Sequence, residues 1–441
     1  MSNVAVIVLD TLRKDTFDRQ FDWIEGQRYE RAFSTANWTV PAHASLFTGK
    51  YASSVGVDAK HQLLDCDRPV LAEQLRDAGY RTRAISANQN VSSRGNWDRG
   101  FDEFVNPSRL FFGDGDVLDW EAFFSRTDAT GRRLYLRAVT ECVRSDCSTL
   151  QSLRAGFEYY RSGLQAASDL DDYGAEGVLD LIREWRFGQD EFLYVNLMET
   201  HTPYDPPAGY PGAGRSVTVD IDHSLGLRGA PPDTEHVYEG AAQYLSDVTR
   251  EIYEALRPDF DVVVFLSDHG EMLGEQGLYN HTYGLHPAVV RVPLVVCGVG
   301  DAGRDTTTRS ILDVYSTVLD IAGVDEPDDV DGASLFDPPA ADRYLTEYRG
   351  LLFKAVDQLE DAGVDPETIE RFEEPLVGAA LPDGYVHESK DGVVETGQVD
   401  EPAARTVRRA TRYLDLASTM ETASAETPDV PERHLENLGY L

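Results

Sequence analysis

The apolar residues of this chain form short, β-branched runs separated by segments with helical spacing. Val4–Leu9 and residues 261–267 are nearly continuous apolar runs, and Arg81–Ser86, 192–198 and 291–296 have similar character. Strands that are buried on both faces of a parallel sheet have this pattern. Residues 71–79 have helical spacing and end in glycine, which predicts a helix ahead of the strand at 81–86. The alternation over residues 1 to about 335 predicts an α/β fold with a doubly wound, mostly parallel sheet.

Domain organisation follows from where this alternation is interrupted or fades. We predict a main catalytic domain over residues 1–338 and a small C-terminal α+β subdomain over residues 339–441. Residues 107–190 are rich in aromatic residues and arginine with helical spacing, and we interpret them as a helical insertion over the functional face of the sheet. Residues 205–235 are rich in Pro, Gly and Asp and predict a long loop.

The charge balance is strongly acidic and dispersed along the chain. The 441 residues include 77 acidic and 40 basic side chains, for a formal net charge of −37. Such a surface is favoured in a halophile whose cytoplasm holds multimolar salt, because the salt screens the repulsion. It also argues against nucleic-acid binding and against an anionic membrane as partner. No apolar stretch has the length of a membrane span and the chain starts close to its first strand, so we expect a cytoplasmic protein without signal peptide or anchor.

Two of the predicted buried strands are followed by residues of types that commonly bind metal ions. Asp10 follows the run 4–9 directly, and Asp268 and His269 follow the run 261–267. Open α/β sheets bind ligands at the carboxyl ends of their strands, where these side chains are expected to lie. Taken singly, Asp10 could instead cap a helix, and Asp268-His269 could be a polar turn.

A hydroxyl at a helix start is the third chemical feature. The stretch 37–49 combines Thr39 with Pro41 and a run of small residues, and proline suits a first helical turn. An oxygen at that place faces unpaired amide donors and the positive end of the helix dipole. Thr39 could therefore form an alkoxide or help to hold a tetrahedral anion, although an ordinary capping threonine would have the same sequence.

Ordered motifs along the chain resemble the sulfatase branch of the alkaline phosphatase superfamily. Three motifs carry the resemblance: Asp-Thr-Leu-Arg at 10–13, Pro-x-x-Ala-Ser-Leu-Phe-Thr-Gly at 41–49 and Ser-Asp-His-Gly-Glu at 267–271. Further segments resemble the family sequence and occur in the same order along the chain: 196–204, 291–296, 313–323, 331–335 and 435–441. The resemblance implies an ester hydrolase with a divalent metal ion at the carboxyl edge of its sheet.

The departures from that family pattern bear on the reaction. The family nucleophile is a Cys or Ser that is oxidised to formylglycine, whereas this chain has Thr39. The methyl group on the threonine Cβ prevents oxidation to an aldehyde, so no formylglycine is expected. The motif arginine is replaced by His43, and the second family aspartate by Thr11. Asn88 lies in the segment that replaces the usual substrate-binding Lys and His, and His281 or a neighbour takes a further lysine position.

What remains resembles the phosphotransferring relatives, in which an unmodified threonine is both metal ligand and nucleophile. Asp10, Thr39, Asp268 and His269 would supply three oxygens and one nitrogen, which suits Mn²⁺ or Zn²⁺, with Ca²⁺ or Mg²⁺ as further options. Because the loop at 199–205 lacks the Asp-x-x-x-His spacing of two-metal relatives, we predict a single ion. His201 is the remaining catalytic candidate, since it could bind a substrate oxygen or protonate the leaving group. The candidate substrate-binding residues are His43, Asn88, His281 and His286.

The sequence leaves several functions open. Hydrolysis of a phosphate monoester, diester or phosphonate ester with Thr39 as nucleophile is the preferred hypothesis. A sulfatase that uses unmodified threonine is the alternative, and transfer of a phospho-headgroup to a glycan differs only in the acceptor. The non-enzymatic alternative is a degenerate family member that binds an anion or glycan without turnover. The expected partner in each case is a small-molecule or glycan ester.

Overall fold

The computed structural model describes residues 2–106, 131–144, 174–229, 231–300 and 302–414, with single positions 118, 123, 149, 152 and 153. Its α-helices, numbered α1 to α12 in chain order, are Lys14–Gln20, Thr39–Thr48, Leu71–Asp77, Gly131–Arg144, Ala175–Glu184, Ile221–Ser224, Thr234–Leu256, Pro287–Val290, Leu312–Ala322, Phe353–Asp361, Pro366–Glu373 and Ala403–Leu414. Its strands, β1 to β15, are Val4–Leu9, Gln27–Phe33, Arg81–Ser86, Glu103–Val105, Glu191–Leu197, Val262–Leu266, Met272–Leu273, Tyr279–Asn280, Arg291–Val292, Leu294–Cys297, Gly303–Ser310, Tyr344–Tyr348, Leu376–Ala380, Gly384–Ser389 and Gly392–Gly397.

The main sheet is mostly parallel and has β1 near its centre. Among the described residues its strand order is β11-β2-β10-β6-β1-β5-β3-β4, with β9 paired to β2. The strands β6, β1, β5, β3 and β4 are mutually parallel, while β10 runs antiparallel to both of its neighbours. Leu9 is in register with Leu197 of β5, and Val8 with Leu266 of β6. The three central strands therefore end side by side.

Helices cover both faces of this sheet, as the sequence predicts. Along β1 the side chains of Val4, Val6 and Val8 join one apolar cluster. The intervening Ala5, Ile7 and Leu9 join another. The first cluster is completed by residues of α2, α3 and α9, and the second by residues of α1, α5 and α7. Because successive strand side chains point to opposite faces, a central strand covered on both sides has to be apolar at every position.

The C-terminal subdomain is an antiparallel sheet of order β12-β13-β14-β15 with helices α10, α11 and α12. It docks on the main domain close to α2. A β-bridge joins Ala36 to Glu347, and the Glu347 carboxylate accepts a 3.0 Å hydrogen bond from the backbone amide of Ser53. Leu345 donates its amide to the Tyr51 hydroxyl at 2.9 Å. The α+β character predicted for this part of the chain is confirmed within residues 339–414.

The predicted insertion at 107–190 differs from the structure at its C-terminal end. Helix α5 lies inside that range, yet Ala175, Val178 and Ile182 are buried in the core beside α7. It is therefore one of the covering helices of the sheet. Most of residues 107–173 lie outside the described residues, apart from α4, and the predicted position of this segment over the active site stays a prediction. No helix in the described part of the chain combines the length and apolarity that a membrane span requires.

Candidate active site

The turn after β1 is held in place by several hydrogen bonds. The Asp10 amide donates to the Leu197 carbonyl at 2.9 Å, which ties the end of β1 to the end of β5. The Asp10 carbonyl accepts from the hydroxyls of Thr11 at 2.7 Å and Thr200 at 2.6 Å. Thr11 has a φ of 59°, which is rare for a β-branched residue, and its own carbonyl accepts from the Tyr238 hydroxyl at 2.9 Å. Strained backbone of this kind occurs where surrounding contacts over-determine a functional position.

Asp10, Asp268 and His269 converge at the carboxyl edge of β1 and β6. One ligand atom from each lies within 4.8 Å of the other two, and all three residues are fully buried. His269 Nε2 lies 3.4 Å from Asp268 Oδ2 and 3.7 Å from Asp10 Oδ1. The structure thus brings together the three residues that the sequence predicts as metal ligands besides Thr39.

The protonation chemistry of this cluster fits a divalent cation. Burial, with repulsion from Asp268 as the next cause, raises the pKa of Asp10 to about 7, and burial raises the pKa of Asp268 to about 7. Asp10 Oδ1 and Asp268 Oδ2 are buried without a hydrogen-bond partner. Buried carboxylate oxygens in that state are costly unless a cation satisfies them. Two carboxylates and one imidazole are also a donor set that Mn²⁺ and Zn²⁺ accept.

The imidazole of His269 is oriented as a ligand or proton acceptor. Its Nδ1 donates to the Gly270 carbonyl at 2.9 Å, so that Nε2 carries the lone pair. Burial lowers the pKa of His269, which keeps the ring neutral. A neutral ring with its free lone pair towards two carboxylates is what metal coordination requires.

Thr39 is the first residue of α2 and its hydroxyl faces the acidic cluster. The Thr39 Oγ1 atom lies 3.4 Å from Asp10 Oδ2 and 3.2 Å from His269 Nε2. Asn88, which follows β3, donates its Nδ2 to Asp10 Oδ2 at 2.8 Å and to Thr39 Oγ1 at 3.4 Å. Trp38, at the N-cap, offers no side-chain cap to the amides of the first turn. The hydroxyl therefore lies between the predicted metal ligands and the positive end of a helix.

His43 lies on the inner side of α2. Its Nδ1 donates to the Thr39 carbonyl at 2.9 Å, and its Nε2 accepts from the Tyr194 hydroxyl at 2.5 Å. Nδ1 also lies 3.5 Å from Asp268 Oδ2. Burial lowers the pKa of His43 to about 3, so the ring is neutral. Both ring nitrogens are engaged by the protein around Thr39 and Tyr194, whereas the sequence predicts that His43 contacts substrate.

His201 and His281 lie on the other side of the cluster and face each other. The His281 ring centroid is 4.4 Å from that of His269 and 5.1 Å from that of His201. His201 Nδ1 donates to the Thr202 carbonyl at 2.6 Å, which leaves Nε2 as the outward nitrogen. Burial lowers the pKa of His201 to about 3 and that of His281 well below its usual range. Two neutral imidazoles therefore lie in a row beside His269, with His281 against His269 and His201 against His281.

Glu271 is a site residue to which the sequence analysis assigns no role. Its fully buried carboxyl places Oε1 3.2 Å from His281 Nδ1, and burial raises its pKa well above the usual range. Its only signal in the sequence is its position in the Ser-Asp-His-Gly-Glu motif, directly after the predicted metal ligands. That position alone does not show that Glu271 contacts an imidazole ten residues further on, because the chain turns through β7 and β8 between the two.

His286 lies apart from the other candidates. It is the N-cap of the short helix α8, where its Nδ1 accepts from the Ala288 amide at 3.1 Å. Its ring has that of His387 as a neighbour, at 6.2 Å between centroids. The structure gives His286 a local capping contact and does not join it to Thr39 and the three predicted metal ligands.

A doubly wound α/β sheet with a buried acid–imidazole cluster and a helix-borne hydroxyl at its carboxyl edge defines an α/β protein with a candidate metal site. The Sulfatase family model matches residues 3–324. The chain therefore belongs to the sulfatase family.

Relatives of similar sequence carry sulfatase names. The uncharacterised sulfatase YidJ of Escherichia coli (strain K12) is 23% identical over 349 residues, which cover 70% of this chain and 63% of YidJ. Choline-sulfatase of Rhizobium meliloti (strain 1021) is 35% identical over 96 residues, or 21% of this chain and 19% of the relative. Human arylsulfatase K is 33% identical over 90 residues, or 20% and 16%. The matches thus span less than two thirds of each relative's length.

Solved structures of the same fold include enzymes for two kinds of ester. Phosphonate monoester hydrolase SpPMH from Silicibacter pomeroyi aligns with a TM-score of 0.58 at 18% identity over 96% of each chain. The phosphonate monoester hydrolase of Agrobacterium radiobacter aligns with a TM-score of 0.58 at 17% identity, over 95% of this chain and 96% of that one. A 2-O GAG sulfatase aligns with a TM-score of 0.59 at 12% identity, over 100% and 97%. At these identities the likeness shows the fold.

Proposed function

We propose that this protein is a metal-dependent hydrolase that cleaves a phosphoester, with the unmodified Thr39 hydroxyl as nucleophile. The observation that carries the proposal is the position of Thr39 Oγ1, 3.4 Å from Asp10 Oδ2 and 3.2 Å from His269 Nε2 at the start of α2. Phosphate monoesters, diesters and phosphonate esters share the tetrahedral anionic centre that this site would receive.

Asp10, Asp268 and His269, with Thr39, would hold one divalent ion. When bound, the ion supplies positive charge that lowers the pKa of the Thr39 hydroxyl and neutralises charge on the transferred group. Asp10 Oδ2, 3.4 Å from Thr39 Oγ1, would accept the hydroxyl proton. Thr39 Oγ1 would then bond to phosphorus as the bond to the leaving oxygen breaks.

The two neutral histidines would bind the anion and serve the leaving group. An anionic phosphoryl oxygen beside His201 would raise the pKa of that imidazole, because an opposite charge favours its protonated form. His201, once protonated at Nε2, could donate that proton to the leaving oxygen. His281, held at Nδ1 by Glu271, would contact the same anion. Water would then hydrolyse the phosphothreonine ester and restore Thr39.

Substitution of Thr39 is the direct test of this proposal. We expect Thr39→Ala to lower kcat/KM for a phosphate or phosphonate ester by at least about a thousandfold, since it removes the attacking group. Thr39→Ser should keep measurable turnover, because direct attack on phosphorus needs only the hydroxyl. The measurement is release of p-nitrophenol from bis-p-nitrophenyl phosphate and p-nitrophenyl phosphate, in high salt with Mn²⁺. Full activity in Thr39→Ala would contradict covalent catalysis by Thr39 and would indicate direct attack by water.

A sulfatase with unmodified threonine is the second candidate, and the sulfatase names of the relatives favour it. The same assay with p-nitrophenyl sulfate separates the two. If the wild-type protein cleaves the aryl sulfate much faster than either phosphate ester, the phosphoester proposal is wrong. Thr39→Cys supplies a further control, since only a formylglycine route would gain sulfatase activity from it in the presence of a maturation enzyme.

A further inference from the structure

The segment between β2 and α2, which leads into the helix start that bears the predicted nucleophile, is held by buried hydrogen bonds. The Ser34 amide donates to the Val290 carbonyl at 2.7 Å, and the Thr35 carbonyl accepts from the Glu347 amide of the C-terminal subdomain at 2.8 Å. Thr35 also donates its hydroxyl to Ser45 Oγ of α2 at 2.8 Å. Two distant parts of the chain and α2 itself therefore fix the backbone of this segment.

Asn37 connects this segment to the part of the chain that contains His281. Asn37 is 1% exposed, and its Nδ2 donates to the His281 carbonyl at 2.7 Å, across 244 positions of the chain. The described residues offer the Asn37 Oδ1 atom no hydrogen-bond partner. Asn37 lies two residues before Thr39, so this one amide joins the nucleophile segment to the backbone of a site histidine.

His281 lies at the start of an irregular loop between β8 and α8. Its amide donates to Asn280 Oδ1 at 2.5 Å, while Tyr283 and Leu285 anchor the following residues in an apolar cluster. The loop has no strand or helix ladder at His281, so side-chain hydrogen bonds have to satisfy the peptide groups there. A buried carbonyl that loses its donor is unfavourable, and the backbone would shift to find another one.

We propose that Asn37 is a positioning residue that sets the place of His281 relative to Thr39. The bonds at Thr35 hold the segment, and Asn37 holds the His281 carbonyl, so the hydroxyl and the imidazole keep a fixed relation. The inference rests on the proposed function in one respect, that His281 contacts the anion. It is independent of whether that anion contains phosphorus or sulfur.

Amide hydrogen exchange over residues 279–286, measured by mass spectrometry on the full-length protein in Mn²⁺, tests the contact itself. We expect Asn37→Ala to speed exchange there about tenfold, because the His281 carbonyl loses its donor. Thr35→Val is the matched control: it removes a buried hydrogen bond of the same segment and should change exchange at 279–286 less than about twofold. Asn37→Leu, of similar shape without polar atoms, replaces the alanine variant if that one does not fold. Unchanged exchange in the Asn37 variant would overturn the inference.

A double-mutant cycle connects the contact to the reaction. We expect His281→Ala to lower kcat/KM by about a hundredfold and Asn37→Ala by about tenfold. In the His281→Ala background Asn37→Ala should cost less than about twofold, because no ring is left to position. Thr35→Val should have the same effect in both backgrounds, since its role is structural. Additive effects of the Asn37 and His281 substitutions would count against the positioning role.

The inference and the proposed function fail in different ways. If His281→Ala leaves kcat/KM unchanged while Asn37→Ala speeds exchange at 279–286, the role of His281 in the proposed function is wrong and the positioning contact stands. If the wild-type protein cleaves neither phosphate nor sulfate esters, the proposed function is wrong, and the exchange experiment alone decides the inference.

Discussion

The described part of the chain contains two groups of two aspartates and one histidine, and the two groups differ in burial and in hydrogen bonding. Asp10, Asp268 and His269 are fully buried where β1 and β6 end. The second group, Asp220, Asp222 and His223, surrounds the short helix α6, and the side chains of its two aspartates are 59% and 34% exposed.

The oxygens of the two groups are used differently. In the buried group Asp10 Oδ1 and Asp268 Oδ2 have no hydrogen-bond partner. In the surface group Asp222 accepts the amide of His223 at 2.9 Å and lies 3.6 Å from Arg228, and water reaches its carboxylate. A cation would bind the surface group only weakly, because solvent and Arg228 already stabilise the negative charge of the Asp222 carboxylate. The comparison indicates that burial and unsatisfied oxygens, more than composition, mark a metal site.

The largest difference is expected from removing one carboxylate in each group. Asp268→Asn should abolish stoichiometric binding of Mn²⁺ or Zn²⁺ and lower kcat/KM by at least about a hundredfold, because loss of even an outer partner of a ligand costs 10- to 100-fold. Asp222→Asn is the matched control and should retain one ion and activity within about twofold. Metal content per chain and steady-state kinetics measure both. Two bound ions in the wild type, one of them lost in Asp222→Asn, would contradict the comparison.

Loss of metal in Asp268→Asn can be distinguished from misfolding. Removing one of two neighbouring buried carboxylates relieves their repulsion, so the metal-free variant should be at least as thermally stable as the metal-free wild type. A lower Tm in the metal-free variant would instead assign Asp268 a structural role.

A smaller effect is expected from Asn88→Ala, which changes a partner of the buried group. The variant loses the 2.8 Å hydrogen bond to Asp10 Oδ2, and we expect metal affinity to fall about tenfold. Asn90→Ala, two residues further along the same loop, is the control and should change the affinity less than about twofold. Calorimetric titration with Mn²⁺ measures the difference, and equal affinities in the two variants would refute the positioning role of Asn88.

The smallest expected effect is the pH dependence of stability. The pKa of Asp10 and that of Asp268 are each raised from 3.8 to about 7 by burial, so folding disfavours their ionised forms. The metal-free protein therefore carries no such penalty below about pH 4, loses stability as pH rises towards 7, and carries the full penalty above it. A bound cation cancels the penalty, so the Tm increase on adding Mn²⁺ should grow from near zero at pH 5 to a few degrees at pH 8.

The surface group again supplies the control for this pH profile. Asp222→Asn should keep the profile of the wild type, whereas Asp268→Asn should flatten it. Differential scanning calorimetry with and without Mn²⁺ gives both curves. A metal-induced increase that is the same at pH 5 and pH 8 would show that the two buried carboxyls do not bind the ion.

Much of the fold could be predicted because the strongest local signals agree with the tertiary structure. Val4–Leu9 is apolar at every position, and this pattern requires a strand covered on both faces. The strand at Arg81–Ser86 has the predicted bounds. Helix α5 falls inside the predicted insertion because its residue spacing is that of any amphipathic helix. Only its packing against α7 shows that it covers the sheet.

The same division applies to the site. The sequence could predict that Asp10, Thr39, Asp268 and His269 lie together, because each lies just after a strand or begins a helix and the ends of parallel strands meet at one edge. His43 and His286 could not be placed, because the direction of a side chain on a helix or at a cap depends on its packed neighbours. Tyr194 and the Thr39 carbonyl hold the first, and the start of α8 holds the second.

The sequence by itself determined the class of sheet, the residues at its carboxyl edge and the absence of a Cys or Ser nucleophile, because these depend on local periodicity and residue identity. The tertiary structure decided that His281 lies against His269 and His201, that its Nδ1 lies beside Glu271, and that Leu352 of the C-terminal subdomain lines a cavity together with Trp38. The geometry of those contacts is set by how loops, sheet, helices and subdomain pack, which local sequence patterns do not specify.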